Sequence, residues 1–519
     1  MTSFDAIVIG GGHNGLTAAA ALSRGGRRVV VLEAEPVASG ALRGDEFHPG
    51  FRSNGPAQII NRLDPEVATL LDLPAHLSGG PELETVVLSP GQPPVILEGA
   101  YGERISGVSS DEAERFRTLR TKLLFQAGIL RRFLKRTTPP MGKVSGGDLA
   151  AFASAGLGLL LKGREEGRDF LRMLLMNVAD VGDEYLSDDR LKALIAFDAT
   201  LGIQLGPRSP TSLLGLYYRL TGEANGRAGG QYVPQGGMEA LGEAFVAGAL
   251  KAGVTIRTNA AVARILADRG MVSGVALESG ETLTAPLVVS AVHPKATFLT
   301  LVDAAEIGTG FRRAIANIRS KGNVARLDLA LDAPPAFAGL TPQAHRGRLV
   351  IARSMQQVET AFNPSKYGEF SGDPVMEVMI PSLAQPGLAP SGAATLSALI
   401  PFVPYTLKEG WETGRARLQA AALSVLERHA PGITATVRGA RLMVPPDIEA
   451  AYRMPGGHWH HGELQADQLL VNRPVQAASR YETPLRGLFL ASAGAHPGGG
   501  ISGLPGLLSA RHILAGDRR

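Results

Sequence analysis

Apolar and polar positions along the chain fall into blocks with different periods. Residues 4–9 are a short apolar run, 10–15 are rich in glycine, and 16–24 carry the small residues of a closely packed helix. A second apolar run, RVVVL at 28–32, follows at once. Apolar runs without polar alternation predict strands buried on both faces, so 4–35 reads as β-turn-α-β in a parallel sheet. After a Pro- and Gly-rich stretch to about residue 110, the spacing turns helical over 111–136 and 164–180. The βαβ rhythm is absent as far as 222. It returns with a helix over 238–252, a strand over 254–257, a hairpin-like stretch over 261–283 and a buried strand over 287–291. Strand 324–331 and a helix near 413–429 mark a mixed region at 301–470, and glycine dominates again over 487–506.

With 519 residues the chain exceeds one simple core, so two domains are expected. Its 45% hydrophobic content suits a folded protein, and 52 Lys and Arg against 48 acids leave only +4. That surplus predicts no nucleic-acid partner. Cysteine is absent. This excludes disulfides, thiolate metal sites, a CxxC redox pair and a cysteinyl-linked flavin. No basic leader precedes the first apolar run, and the longest later one, 149–161, is interrupted by Ser154, Gly156 and Gly158. It falls short of the roughly 20 residues of a spanning helix, which predicts a cytoplasmic protein, soluble or peripheral at a membrane.

Gly10-Gly11-Gly12-His13-Asn14-Gly15 sits between the first strand and helix, and Glu33 ends the next strand 18 residues beyond Gly15. In this arrangement Gly10 allows the sharp turn, Gly12 lets the backbone approach a pyrophosphate, and Gly15 lets helix and strand pack. Phosphates then meet the positive helix N-terminus, and the carboxylate accepts from the adenosine ribose. Near the other end, GLFLASAG at 487–494 predicts a strand entering a turn. Gly498-Gly499-Gly500-Ile501-Ser502-Gly503 then leads into a helix from about Leu504. This second turn offers backbone N–H groups to the same cofactor, so one dinucleotide is expected, held from both ends.

The segments IVIGGGHNGLTAAAALSRGGRRVVVLEA, GGQYVPQGGMEALGEAF, HGELQADQLLVNRP and GLFLASAGAHPGGGISGLPG follow one another along the whole chain. Together they resemble the phytoene desaturase-like branch of the FAD-dependent amine oxidase superfamily. The resemblance implies an α/β fold: a Rossmann-like FAD-binding domain of the glutathione reductase/amine oxidase type, with a second, mixed α+β substrate domain. On this reading 1–110, 225–300 and 471–519 form the FAD domain, and 111–224 with 301–470 form a lid. Gly10, Gly12, His13, Asn14, Gly15 and Glu33 take the ADP half, Val262 contacts the adenine, and Gly494, Gly499, Gly500, Ile501 and Gly503 lie by the flavin end. Ser39-Gly40-Ala41 departs from the family's paired glycine, Ala491-Ser492 from its Gly or Cys-Gly, and His293 from a common acid.

Flavin oxidation of a C–H bond needs a carbon held near N5 in a dry pocket and little acid–base machinery. The implied activity is desaturation or dehydrogenation of an apolar isoprenoid-like or long-chain small molecule, with oxygen or a quinone as electron acceptor. An amine oxidase would place an aromatic pair before the flavin, for which Tyr452 and Trp459 are candidates. A non-redox binding protein on the same fold would have lost the glycine turns. His496, in the C-terminal turn, is the candidate for handling a proton; the competing role is to hold its loop through a backbone bond. His458, His460 and His461 suggest a metal, but on a strand 461 would point away from the other two, and no metal is expected. The segment from Arg120 to Arg136 combines an apolar stripe with six basic residues. Such a helix either lies on an anionic membrane or packs on the core.

Overall fold

A computed structural model describes residues 4–139 and 164–516, so the apolar stretch 149–161 lies outside the described residues. The strands Ala6–Ile9, Val29–Leu32, Thr255–Arg257, Leu287–Ser290 and Leu488–Leu490 form one parallel five-stranded sheet with Ala6–Ile9 at its centre. Every residue of the three inner strands is buried. Their side chains alternate between two cores, as the twofold period of a strand requires. Ala6, Val8, Val29 and Val31 pack under the helices His13–Arg24, Gly237–Lys251 and Leu504–Gly516. Ile7, Ile9, Val30 and Leu32 meet the antiparallel strands Val262–Asp268, Met271–Leu277 and Thr282–Thr284 on the other face.

The second sheet has eight strands, and it corrects the domain boundaries. Thr85–Leu88, Val95–Glu98 and Arg104–Ser106, placed by sequence in the FAD domain, form one end of it. Arg348–Ile351 pairs in parallel with Thr85–Leu88, joining segments far apart in the chain. Local periodicity carries no trace of such a pairing. Likewise Ile307, Ile315 and Ile318 pack in the FAD-side core, so that domain extends past residue 300. Helices Ser110–Leu134, Asp189–Thr200 and Leu213–Leu220 cover one face of the large sheet around Val87, Leu97 and Val350. Trp411–His429 covers the other with Leu418, Ala422 and Leu426. The pattern over 164–180 resolves into two helices, Arg164–Leu175 and Val178–Tyr185. Asn177 separates them, its side chain accepting from Asp180 N at 2.8 Å as a new N-cap.

The basic helix packs its stripe of Phe116, Leu119, Leu123 and Leu134 into the second core. Four of the segment's cations are engaged by neighbouring elements as well, while Arg132 and Arg136 are exposed. Arg120 donates to the Ala100 carbonyl at 2.6 Å, Lys122 to Asp169 at 2.5 Å and Arg131 to the Thr221 carbonyl at 2.7 Å, while Lys135 sits 3.1 Å from Asp64. Core packing accounts for the apolar stripe and for these four cations. Among the described residues no helix is long and apolar enough to cross a membrane.

The first and last helices lie directly on one another. A Cβ on Gly506 would stand 2.0 Å from the Asn14 carbonyl oxygen, so only glycine permits the contact. We expect Gly506→Val to destabilise the fold by about 1–3 kcal/mol or more through overpacking against backbone. Gly516→Ala, whose Cβ meets nothing within 4 Å, is the neutral control. Urea unfolding of both variants checks this, and equal midpoints would refute it.

Candidate FAD site

The glycine turn is built by steric exclusion. Gly10 leaves its strand at φ +98°, and a Cβ on Gly15 would lie 2.0 Å from the Gly10 carbonyl oxygen. Gly12 precedes the helix His13–Arg24 with no side-chain cap, and no acid sits in the first turn. The first N–H groups therefore lack intrahelical partners, and the positive helix end is not neutralised locally. A Cβ on Gly12 would meet only Gly40 Cα, at 3.8 Å; one on Gly40, at φ +57°, would come within 2.9 Å of Gly12 Cα. In Ser39-Gly40-Ala41 the single glycine thus makes the close approach. Glu33 Oε2 accepts from Gly11 N at 2.7 Å and Oε1 from Glu35 N at 2.9 Å. It braces the turn and keeps lone pairs for two ribose hydroxyls.

A cavity of about 630 Å³ runs from Glu33 past this turn to Glu377 and Leu399 of the large sheet. Of the residues expected at the cofactor, Gly10, Gly12, His13, Asn14, Gly15, Glu33, Val262, Gly500 and Ile501 line it. His13 Nε2 bonds the Gly500 carbonyl at 3.2 Å, tying the two glycine turns together. Gly494, Gly499 and Gly503 stand behind the wall instead. Added Cβ atoms there would strike Pro294 at 2.4 Å, His460 at 2.5 Å and Val67 at 2.6 Å respectively. They set the path of the turn rather than its inner surface.

His496 is a correction. Its ring is buried, Nε2 bonds the Arg136 carbonyl at 2.8 Å, and it stands outside the residues lining the cavity. This bond to a backbone carbonyl is the loop-holding arrangement, and it leaves the ring away from the cavity. Besides His13, the histidines that line the cavity are His293, His460 and His461. Residues 458–461 form a turn rather than a strand, which brings His458 and His460 to 5.9 Å and leaves His461 tilted beside His293 at 5.1 Å. Burial holds His461 at about 3 and pushes His293 and His460 well below the usual range, so these imidazoles are neutral. Among the described residues no group is suited to a metal ion.

This histidine turn is positioned by Arg473. Its buried guanidinium donates to the carbonyls of His460, Glu463 (2.9 Å), Gln468 (3.2 Å) and Ala493 (2.9 Å). Sequence reasoning also missed Arg62, which lines the cavity with its guanidinium 4.0 Å from the Tyr218 ring centroid. Arg62 lies in no recognisable motif, and Arg473 stands in the segment HGELQADQLLVNRP, which by itself gives the arginine no role. Asn14 Oδ1, Arg62 Nε, His293 Nε2, His460 Nδ1 and His461 Nδ1 are buried beside the cavity without a hydrogen-bond partner in the protein. Unmet polar atoms of both kinds, next to a glycine cradle and an exposed helix end, fit a large heteroatom-rich cofactor such as FAD.

Fold and cavity together define a two-domain flavin-dependent oxidoreductase. The chain matches the family described as flavin containing amine oxidoreductase over residues 15–353. It is 32% identical to pyridine nucleotide-disulfide oxidoreductase domain-containing protein 2 of Rattus norvegicus, across 99% of this chain and 94% of that one. Identity is 28% to a neurosporene-forming phytoene desaturase of Cereibacter sphaeroides, over 64% of this chain and 61% of the relative. Cyclohexylamine oxidase from Brevibacterium oxydans shares the fold, with a TM-score of 0.57 at 15% identity over 100% of both chains. The chain belongs to the flavin-containing amine oxidoreductase family, and FAD is its cofactor. Disulfide chemistry, despite the rat relative's name, is excluded by the absence of cysteine.

Two expectations follow from this geometry. Gly12→Val should abolish FAD binding while leaving the fold intact, because its side chain enters the cavity and strikes no protein atom closely. Flavin content and circular dichroism of the purified variant check it, and wild-type flavin occupancy would refute it. The second concerns pH. His13 and His496 are held at about 4, and His461 at about 3, all by burial, against an ordinary 6.5. The unfolded chain then binds protons that the fold resists, so this stability is complete above 6.5 and is lost as pH falls from there toward 4 and 3. Tm should drop over that window, and a flat profile between pH 7 and 4 would contradict the assignment.

Proposed function

We propose that this FAD-dependent oxidoreductase dehydrogenates a C–C bond of a largely apolar small molecule, isoprenoid-like or long-chain. What supports this is the cavity wall away from the glycine turn, where Leu201, Ile203, Leu399, Leu464 and Trp459 gather from separate elements. Bound FAD would supply a two-electron centre for the hydride of one substrate carbon, and the proton lost from the adjacent carbon would pass to an unpartnered ring nitrogen of His293, His460 or His461. The apolar wall holds that carbon and keeps water out, which is the main demand such a transfer makes on the protein. Neutral His293, His460 and His461 hydrogen-bond bound molecules without placing a charge in the pocket. Oxygen or a quinone is the proposed electron acceptor.

Tyr452 and Trp459, the candidates for an amine oxidase's aromatic pair, both line the cavity but engage different neighbours. Arg43 lies 5.7 Å from the Tyr452 ring centroid, while Trp459 meets His460 edge-on at 6.1 Å. The purified protein is expected to be yellow and to release FAD on denaturation, since no cysteinyl link is available. Anaerobic mixing with long-chain or isoprenoid compounds should bleach the visible absorbance, and alkylamines should leave it unchanged. Bleaching by amines alone would replace this reading with the amine oxidase one.

A further inference from the structure

The far end of the cavity is not purely apolar. Asp198, Arg219 and Glu377 line it, and with Arg348 they form a buried charged cluster. Arg348 donates to Asp198 Oδ1 at 2.5 Å and to Glu377 Oε2 at 2.6 Å, so both carboxylates are committed to the same guanidinium. Arg219 is served less well. Its Nε reaches the already engaged Asp198 Oδ1 only at 3.5 Å, and Nη2 donates to the neutral amide of Gln231 at 2.9 Å.

Exposure separates the four groups. The side chains of Asp198 and Arg348 are 0% exposed and Glu377 4%, whereas Arg219 keeps 17%. Arg219 sits deep in the protein, where burial lowers its pKa, so the surface it retains faces the cavity. A guanidinium in such a place gains most from an oxyanion, which it meets with parallel N–H donors at low local dielectric. The acids are the poorer anchor, because Arg348 already engages one oxygen of each and their side chains are at most 4% exposed. The cluster itself, two arginines and two acids, is formally neutral, so an added carboxylate beside Arg219 meets no net repulsion.

We propose that the substrate is amphipathic and carries a carboxylate, bound by Arg219, while its apolar chain runs along Leu201, Ile203 and Leu399 toward the glycine turns. This rests on the reading of the cavity as a substrate site and narrows the substrate class from hydrocarbons to apolar acids. In this arrangement Arg219 is a specificity residue: it fixes which end of the chain enters first and thereby which carbon faces the flavin.

The test uses FAD-loaded protein and three probes of one chain length: decanoate, decanol and decylamine, with binding read from perturbation of the flavin spectrum. Decanoate should bind about tenfold or more tightly than the other two, and Arg219→Gln should remove that preference while Arg219→Lys keeps part of it. Equal affinity for decanoate and decanol in the wild type, or tighter decylamine, would overturn the proposal without any variant. So would an Arg219→Gln protein that still holds FAD and still prefers decanoate. Failure of the underlying reading looks different: protein that binds none of the three probes in its flavin cavity loses the substrate site itself, and the carboxylate proposal with it.

Discussion

The contact between the first and last helices is the constraint on which the site depends. Gly506 against the Asn14 carbonyl lets two backbones touch where any side chain would hold them apart. That contact carries the C-terminal glycine turn to the N-terminal one, where His13 and the Gly500 carbonyl join them. The parallel sheet sets up the same meeting, since Ala6–Ile9 and Leu287–Ser290 pair side by side and Leu488–Leu490 adds next to them. Both turns therefore emerge at the carboxyl ends of strands of one parallel sheet, with only Leu287–Ser290 between them, the usual place for a ligand in an open α/β sheet. Without the helix contact, the two turns would be separate loops and neither alone would enclose a dinucleotide.

Electrostatics in the cavity follow a consistent logic. Burying a charge is unfavourable unless it is paired or turned toward a ligand. Arg473 meets that condition with backbone carbonyls and in return fixes the histidine turn. Arg348 meets it with two carboxylates. The histidines meet it by staying neutral, and His13 and His496 by bonding carbonyls as well. Arg62 and Arg219 are served less fully by the protein, and both line the cavity. The pocket is thus neither a hydrocarbon slot nor a highly charged cleft.

The sequence by itself determined the cofactor end. Gly10, Gly12, Gly15 and Glu33 are read from local spacing because a pyrophosphate approach excludes Cβ atoms over a few consecutive residues, and local rules are written locally. The unbroken apolar strands at 6–9, 29–32 and 287–290 were legible for the same reason, each being buried on both faces. Only tertiary structure decided the rest. The pairing of 85–88 with 348–351 moved three strands into the second domain, and a long-range hydrogen-bond ladder leaves no period in either segment. His496 stood in the right turn yet faces Arg136, because the direction of a side chain is settled by what packs against it. Asp198, Arg219, Glu377 and Arg348 come from two helices and two strands. Their charges are adjacent only once the large sheet and its covering helices have assembled, and no motif could have announced them.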